Sequence, residues 1–169
     1  SEARTREDYP ADLVEAALCR SHTLTPSRKG FNNDFPTLDD MRRLVRNPTA
    51  YRYEHSDGLK CTMLLMSGLI QDFNFAAHLE GRSEIFSTQL YLPMPPARTS
   101  LANFFSPLVN NFEKMFLTGK PTYPVERTLL TTGLTAAGVE SLFRDQTRYE
   151  TPHLAIPYQP TKESTFWRT

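Results

Sequence analysis

Apolar positions recur along this chain first at a helical period, then at a strand period, then at a helical period again. Leu13, Val14, Ala17 and Leu18 share one helical face behind Pro10, whose missing N–H a first turn tolerates. This helix is expected to stop near Ser21 and His22, because Thr23 and Thr25 are β-branched and Pro26 breaks the ladder. After a polar loop, Thr37-Leu38-Asp39-Asp40 reads as a second helix start: Thr37 caps, and the two aspartates suit the positive end of the dipole. Leu38, Met41, Leu44 and Val45 form its apolar stripe, and Asn47-Pro48 closes it.

The centre of the chain alternates. A short strand over 50–55 turns at Asp57-Gly58, where glycine supplies the positive φ of a tight reversal, and returns over 59–66. Next, Phe73, Phe75, Ala77 and Leu79 alternate with Asn74, Ala76, His78 and Glu80, then Gly81-Arg82-Ser83 turns the chain into a strand over 84–92. These four strands predict an antiparallel meander. A third helix is expected to open at Ser106 with Pro107 in its first position, to bury Leu108, Val109, Phe112, Met115 and Phe116, and to end at Gly119. A fourth is expected over 124–143 with Leu129, Leu130, Leu134 and Ala137 inward. Gly133 and Gly138 weaken that helix, which close approach of another element would explain. Residues 153–158, flanked by Pro152 and Pro157, read as an edge strand. The expectation is an α+β fold: an open, mainly antiparallel sheet, a meander of at least four strands, with helices packed on one face. It occupies residues 10–158, between a charged tail or cut end over 1–9 and a C-terminal tail over 159–169.

Composition adjusts this picture. Apolar residues make up 39% of the 169, and exchanging the 7 Tyr for the 7 Gly leaves that count unchanged. The norm is roughly 45–50%, so the core is thin and an apolar surface is expected to await a partner. Nineteen basic and nineteen acidic side chains cancel, which argues against nucleic-acid binding. The apolar run Met63-Leu64-Leu65-Met66 is far shorter than the ~20 residues of a membrane span. With no secretory signal visible (a removed one would leave no trace) and two lone cysteines, Cys19 and Cys61, a reducing, cytoplasmic setting is expected.

Sequence motifs exclude more chemistry than they offer. No two glycines lie closer than five positions, so no G-x-G-x-x-G can be drawn, and Val139-Glu140 stand where a Walker loop after Gly133 and Gly138 needs Lys and Ser/Thr. His22, His55, His78 and His153 are isolated from one another and from the cysteines, no metal motif anchors them, and no G-x-S-x-G elbow occurs. Cys19 and His22, three apart, could pair as thiolate and imidazolium, or Cys19 could simply face the core. Three segments remain. Arg20-Ser21-His22-Thr23 is either a plain helix end or a cationic and hydroxyl-bearing contact site. Asp72, Asn74, His78 and Glu80 make one side of the third strand polar, as a solvent face or as the floor of a substrate cleft. Tyr123-Pro124-Val125-Glu126-Arg127-Thr128 starts the last helix, and Arg127 is placed to tie it to a neighbour.

The run Glu113-Lys114-Met115-Phe116-Leu117-Thr118-Gly119-Lys120-Pro121, followed by Tyr123-Pro124-Val125-Glu126-Arg127 and a helix ending Glu140-Ser141-Leu142, resembles a known C-terminal domain. It is similar to that of the glucose–fructose oxidoreductase, inositol dehydrogenase and MocA family, in a divergent bacterial branch. Upstream, Asp57-Gly58-Leu59-Lys60 before an apolar strand fits the same family's substrate-domain hairpin. The likeness spans about residues 10–158. It implies the substrate-binding and oligomerisation domain of an NAD(P)-dependent oxidoreductase acting on a sugar or polyol, with a Rossmann domain outside this chain and subunits joined through the sheet face. The lysine of the family's E-K-P segment and its D-x-x-x-H helix pattern are absent, so no catalytic residue carries over and the chain alone is expected to be inactive, binding no cofactor. Arg20, His22, Asp72, Asn74 and His78 are the candidates for contacting a sugar-like ligand. A noncatalytic ligand- or protein-binding module on the same sheet is the alternative.

Overall fold

The structure is a computed structural model, and it describes residues 9–21, 35–70, 72–90 and 102–161. The chain divides into two compact units, Ser1–Leu92 and Pro93–Thr169. In the first, helix α1 (Ala11–Leu18) follows Pro10, whose φ of −63° already suits the helix. Helix α2 (Leu38–Leu44) opens as its sequence predicts. The Thr37 side chain accepts from the Asp40 backbone N–H, and the Asp40 carboxylate accepts from the Thr37 N–H in return. Strands β1 (Thr49–Glu54) and β2 (Lys60–Leu65) form one antiparallel hairpin, and β3 (Phe73–His78) and β4 (Ile85–Leu90) form another. Gly58 and Gly81 take φ of 90° and 75° in the two reversals, where a side chain would be strained.

The architecture is therefore α+β and antiparallel, but the four strands make two sheets of two, not one meander. The reason lies between β2 and β3. Leu69 there is fully buried, in a core cluster with Val14, Leu18, Met41 and Val45, while Gly68 at φ 93° turns the chain. An apolar residue drawn into the core carries the connection inward, where a tight reversal onto β2 would need it exposed. Burying Val14 and Leu18 stabilises the attachment of α1 by roughly 1.5–3 kcal/mol each.

The second unit holds α3 (Ala102–Thr118) and α4 (Val125–Phe143). Helix α3 begins four residues earlier than expected, with Pro107 inside it. Only one ladder bond is lost there, and the Asn111 side-chain amide donates to the Pro107 carbonyl 3.0 Å away. Gly119 ends α3 at φ 65°, as expected. The expected burial is found only in part: Met115, Leu130, Leu134 and Ala137 are half-buried, but Leu108, Val109, Phe112 and Phe116 are exposed, and so is Leu129 on α4. Residues 153–158 form no strand. A single 3-10 turn, Pro152–Leu154, replaces it because prolines at both ends remove ladder donors and Leu154 seats its side chain on Gly133. A Cβ at Gly133 would lie 2.3 Å from Leu154 Cδ2, so this glycine does permit a close approach.

Candidate functional site

Alternation in the second hairpin sorts its side chains cleanly. The register pairs Asn74 with Gln89, Ala76 with Ser87 and His78 with Ile85, so these residues share one face, and Asp72 continues it. Phe73, Phe75, Phe86 and Leu90 occupy the other. Helix α1 packs on the hairpin, and its Asp12, with Arg20 and Ser21 just after it, bonds to the polar face. Ser21 Oγ donates to the Asp72 carboxylate at 3.0 Å, Asn74 Nδ2 donates to it at 2.8 Å, and Gln89 Nε2 at 2.7 Å. At one end of this seam Arg20 Nε donates to Ser87 Oγ at 2.9 Å; at the other His78 Nε2 lies 3.0 Å from Asp12 Oδ2. Asn74 Oδ1 is buried and has no hydrogen-bond partner.

Four of the five candidates, Arg20, Asp72, Asn74 and His78, thus come together on one seam, while His22 lies outside the described residues. Asp72 and Asn74 are half-buried beneath α1; Arg20 and His78 are exposed at its two ends. The polar face is neither open solvent face nor bare cleft floor, because α1 bonds across it. Asp12, Ser87 and Gln89 belong to the same constellation and were not singled out by sequence reasoning. The signal for the last two was the turn at Gly81-Arg82, since counting back from it pairs Asn74 with Gln89 and Ala76 with Ser87. The chemistry on offer is a row of amide, hydroxyl, carboxylate and cationic groups suited to hydroxyl-bearing ligands. Nothing in it is a paired nucleophile and base.

Elsewhere the polar groups are spent locally. On the first hairpin Tyr53 faces Cys61 across the strands; burial pushes the Tyr53 phenol up, and the thiol adds to that. In the second unit, a groove of about 340 Å³ lies between the Gly133–Ala137 face of α4 and Tyr149, His153 and Leu154. The rim carboxylate, Glu140, holds Arg144 at 2.6 Å, and Arg144 stands 5.1 Å over Tyr149. Arg127 lies 4.7 Å over Tyr123, which ties the start of α4 to the segment just before it. Cys19 and Cys61 are both free thiols. Among the described residues no three His, Cys, Asp or Glu side chains gather as a metal site, and no helix is long and apolar enough to cross a membrane. No protein-family model, curated protein or solved structure matches the chain.

Proposed function

We propose that this chain is the substrate-binding and assembly part of an NAD(P)-dependent oxidoreductase acting on a sugar or polyol, with the nucleotide-binding domain held outside it. The observation that carries the reading is the two-sidedness of the β3–β4 hairpin: one face lines a hydroxyl-compatible polar seam, and the other leaves Phe73, Phe75, Phe86 and Leu90 open for a second subunit. The order of the Gly119-Lys120-Pro121, Tyr123-Pro124-Val125-Glu126-Arg127 and Glu140-Ser141-Leu142 segments supports the same family.

Two measurements test it. In amide NMR spectra of the chain, millimolar myo-inositol or glucose is expected to shift signals around Arg20 and His78, while NADH shifts none. The coding sequence ahead of Ser1 is expected to contain a strand, a glycine-rich turn and a helix. Translation starting at Ser1, or tight NADH binding by this chain, overturns the proposal. One observation favours the noncatalytic binding module: the Asp72 carboxylate already accepts from three donors of its own fold. Shifts confined to the aromatic face, with none at the seam, would decide for that module.

A further inference from the structure

The groove in the second unit is built by local chain geometry. On α4, Leu129, Gly133, Ala136, Ala137 and Glu140 recur at helical spacing and line one side of it. Just past the end of that helix, Asp145 and Gln146 take φ of 56° and 63°, in the left-handed region, and the chain reverses. The Gln146 N–H donates to the Ser141 carbonyl at 2.8 Å, and Ser141 Oγ donates to the Thr147 carbonyl at 2.6 Å, which fixes the return. The returning segment lays Tyr149, His153 and Leu154 against α4, with Leu154 seated on Gly133. Two non-glycine residues are thus held in a costly backbone conformation, and the groove that results measures about 340 Å³.

Size, shape and polarity narrow what fits. Ligand pockets run from roughly 300 to 1,000 Å³, and an apolar cavity of about 150 Å³ holds benzene, so this groove suits two fused rings. Its floor of glycine and alanine presents backbone and methyl groups, which a flat ring covers more fully than a branched chain does. Glu140, the acid among the lining residues, already holds Arg144, so a cationic ligand meets no spare carboxylate there. Thr132, Tyr149 and His153 also line the groove, and their side chains have no hydrogen-bond partner among the described residues. A hydroxyl, a phenol and an imidazole can each donate, and donors without acceptors favour an anionic oxygen.

We propose that this groove binds a small bicyclic aromatic carboxylate, its rings on the Gly133–Ala137 floor and its carboxylate met by the rim donors, His153 foremost. The groove lies wholly within the second unit and shares no residue with the α1 seam, so the inference stands whether or not the chain serves a sugar oxidoreductase. Amide NMR spectra of the full chain, titrated with naphthoate, naphthol and naphthylmethylamine, test it. Naphthoate at millimolar concentration is expected to shift the Gly133, Ala136 and Leu154 amides, and the amine to bind about tenfold more weakly. Ala136→Leu fills the groove from an exposed helical position with little change in propensity, and Thr132→Leu fills it from the preceding turn. Each is expected to abolish those shifts with unchanged far-UV circular dichroism. His153→Ala is expected to weaken naphthoate several-fold and leave naphthol unchanged, a split that loss of packing alone would not give. Four results overturn the inference: shifts absent from these amides or confined to the aromatic face of β3–β4, shifts that survive both filling variants, equal affinity for the acid and the amine, or naphthoate and naphthol weakened alike by His153→Ala.

Discussion

At Asp40 opposing forces meet in one side chain. Burial pushes its carboxyl up, but hydrogen bonds from Arg43 and from Thr37 outweigh that, and the pKa falls below the ordinary 3.8. A lowered folded-state pKa stabilises the fold above 3.8, and that contribution is lost as pH falls through the folded value. The stability gap between wild type and Asp40→Asn, followed by thermal melts from pH 6 to pH 2, is therefore expected to close in acid. At neutral pH Thr37→Ala removes the reciprocal bond and is expected to cost about 1 kcal/mol. At Gly133 the sign is mixed. Alanine gains about 1 kcal/mol of helix propensity but displaces Leu154, whose Cδ2 would sit 2.3 Å from the new methyl. Since a side-chain tip can rotate away, Gly133→Ala is expected to leave α4 amides protected from exchange. The Leu154 amide, bonded to Thr151, is expected to lose protection. Both features were legible in the sequence because they are local: a cap lies three residues from its partner, and a glycine inside a helix needs a reason.

Between elements, legibility fails in a specific way. Period-two alternation in β3 showed that Phe73 and Asn74 face opposite sides, but not which side the next element would cover. Burial favours the aromatic face; here α1 lies on the polar one because Ser21, Arg20 and Asp12 bond across it. Helix stripes carry the same ambiguity. The spacing of Leu108, Val109, Phe112 and Phe116 says that a surface must meet them, not that it lies within the same unit. The α1 seam makes the stronger prediction at this scale. Asp72→Ala leaves the Ser21, Asn74 and Gln89 donors without their acceptor, and half-buried orphans of this kind cost about 1–3 kcal/mol. Urea unfolding is expected to show that loss as a lower midpoint with an unchanged slope. His78→Ala removes only an exposed pair with Asp12 and is expected to cost less than about 1 kcal/mol. Equal losses from the two substitutions would mean that Asp72 does not hold α1 to the hairpin.

For the whole molecule, exposed apolar area and balanced charge act together. Nineteen charges of each sign leave no net repulsion between copies near the pI of about 6.9, and apolar faces on both units favour contact. Beyond any specific assembly, solubility is therefore expected to pass through a minimum near pH 7. It should rise on either side of the pI, as net charge of one sign builds up and copies repel. Added salt screens attraction between opposite charges but strengthens apolar burial when the anion is sulfate. Turbidity at pH 7 that sulfate increases and sodium chloride leaves unchanged would identify the apolar faces as the cause. Turbidity that sodium chloride abolishes would assign it to charge pairing instead.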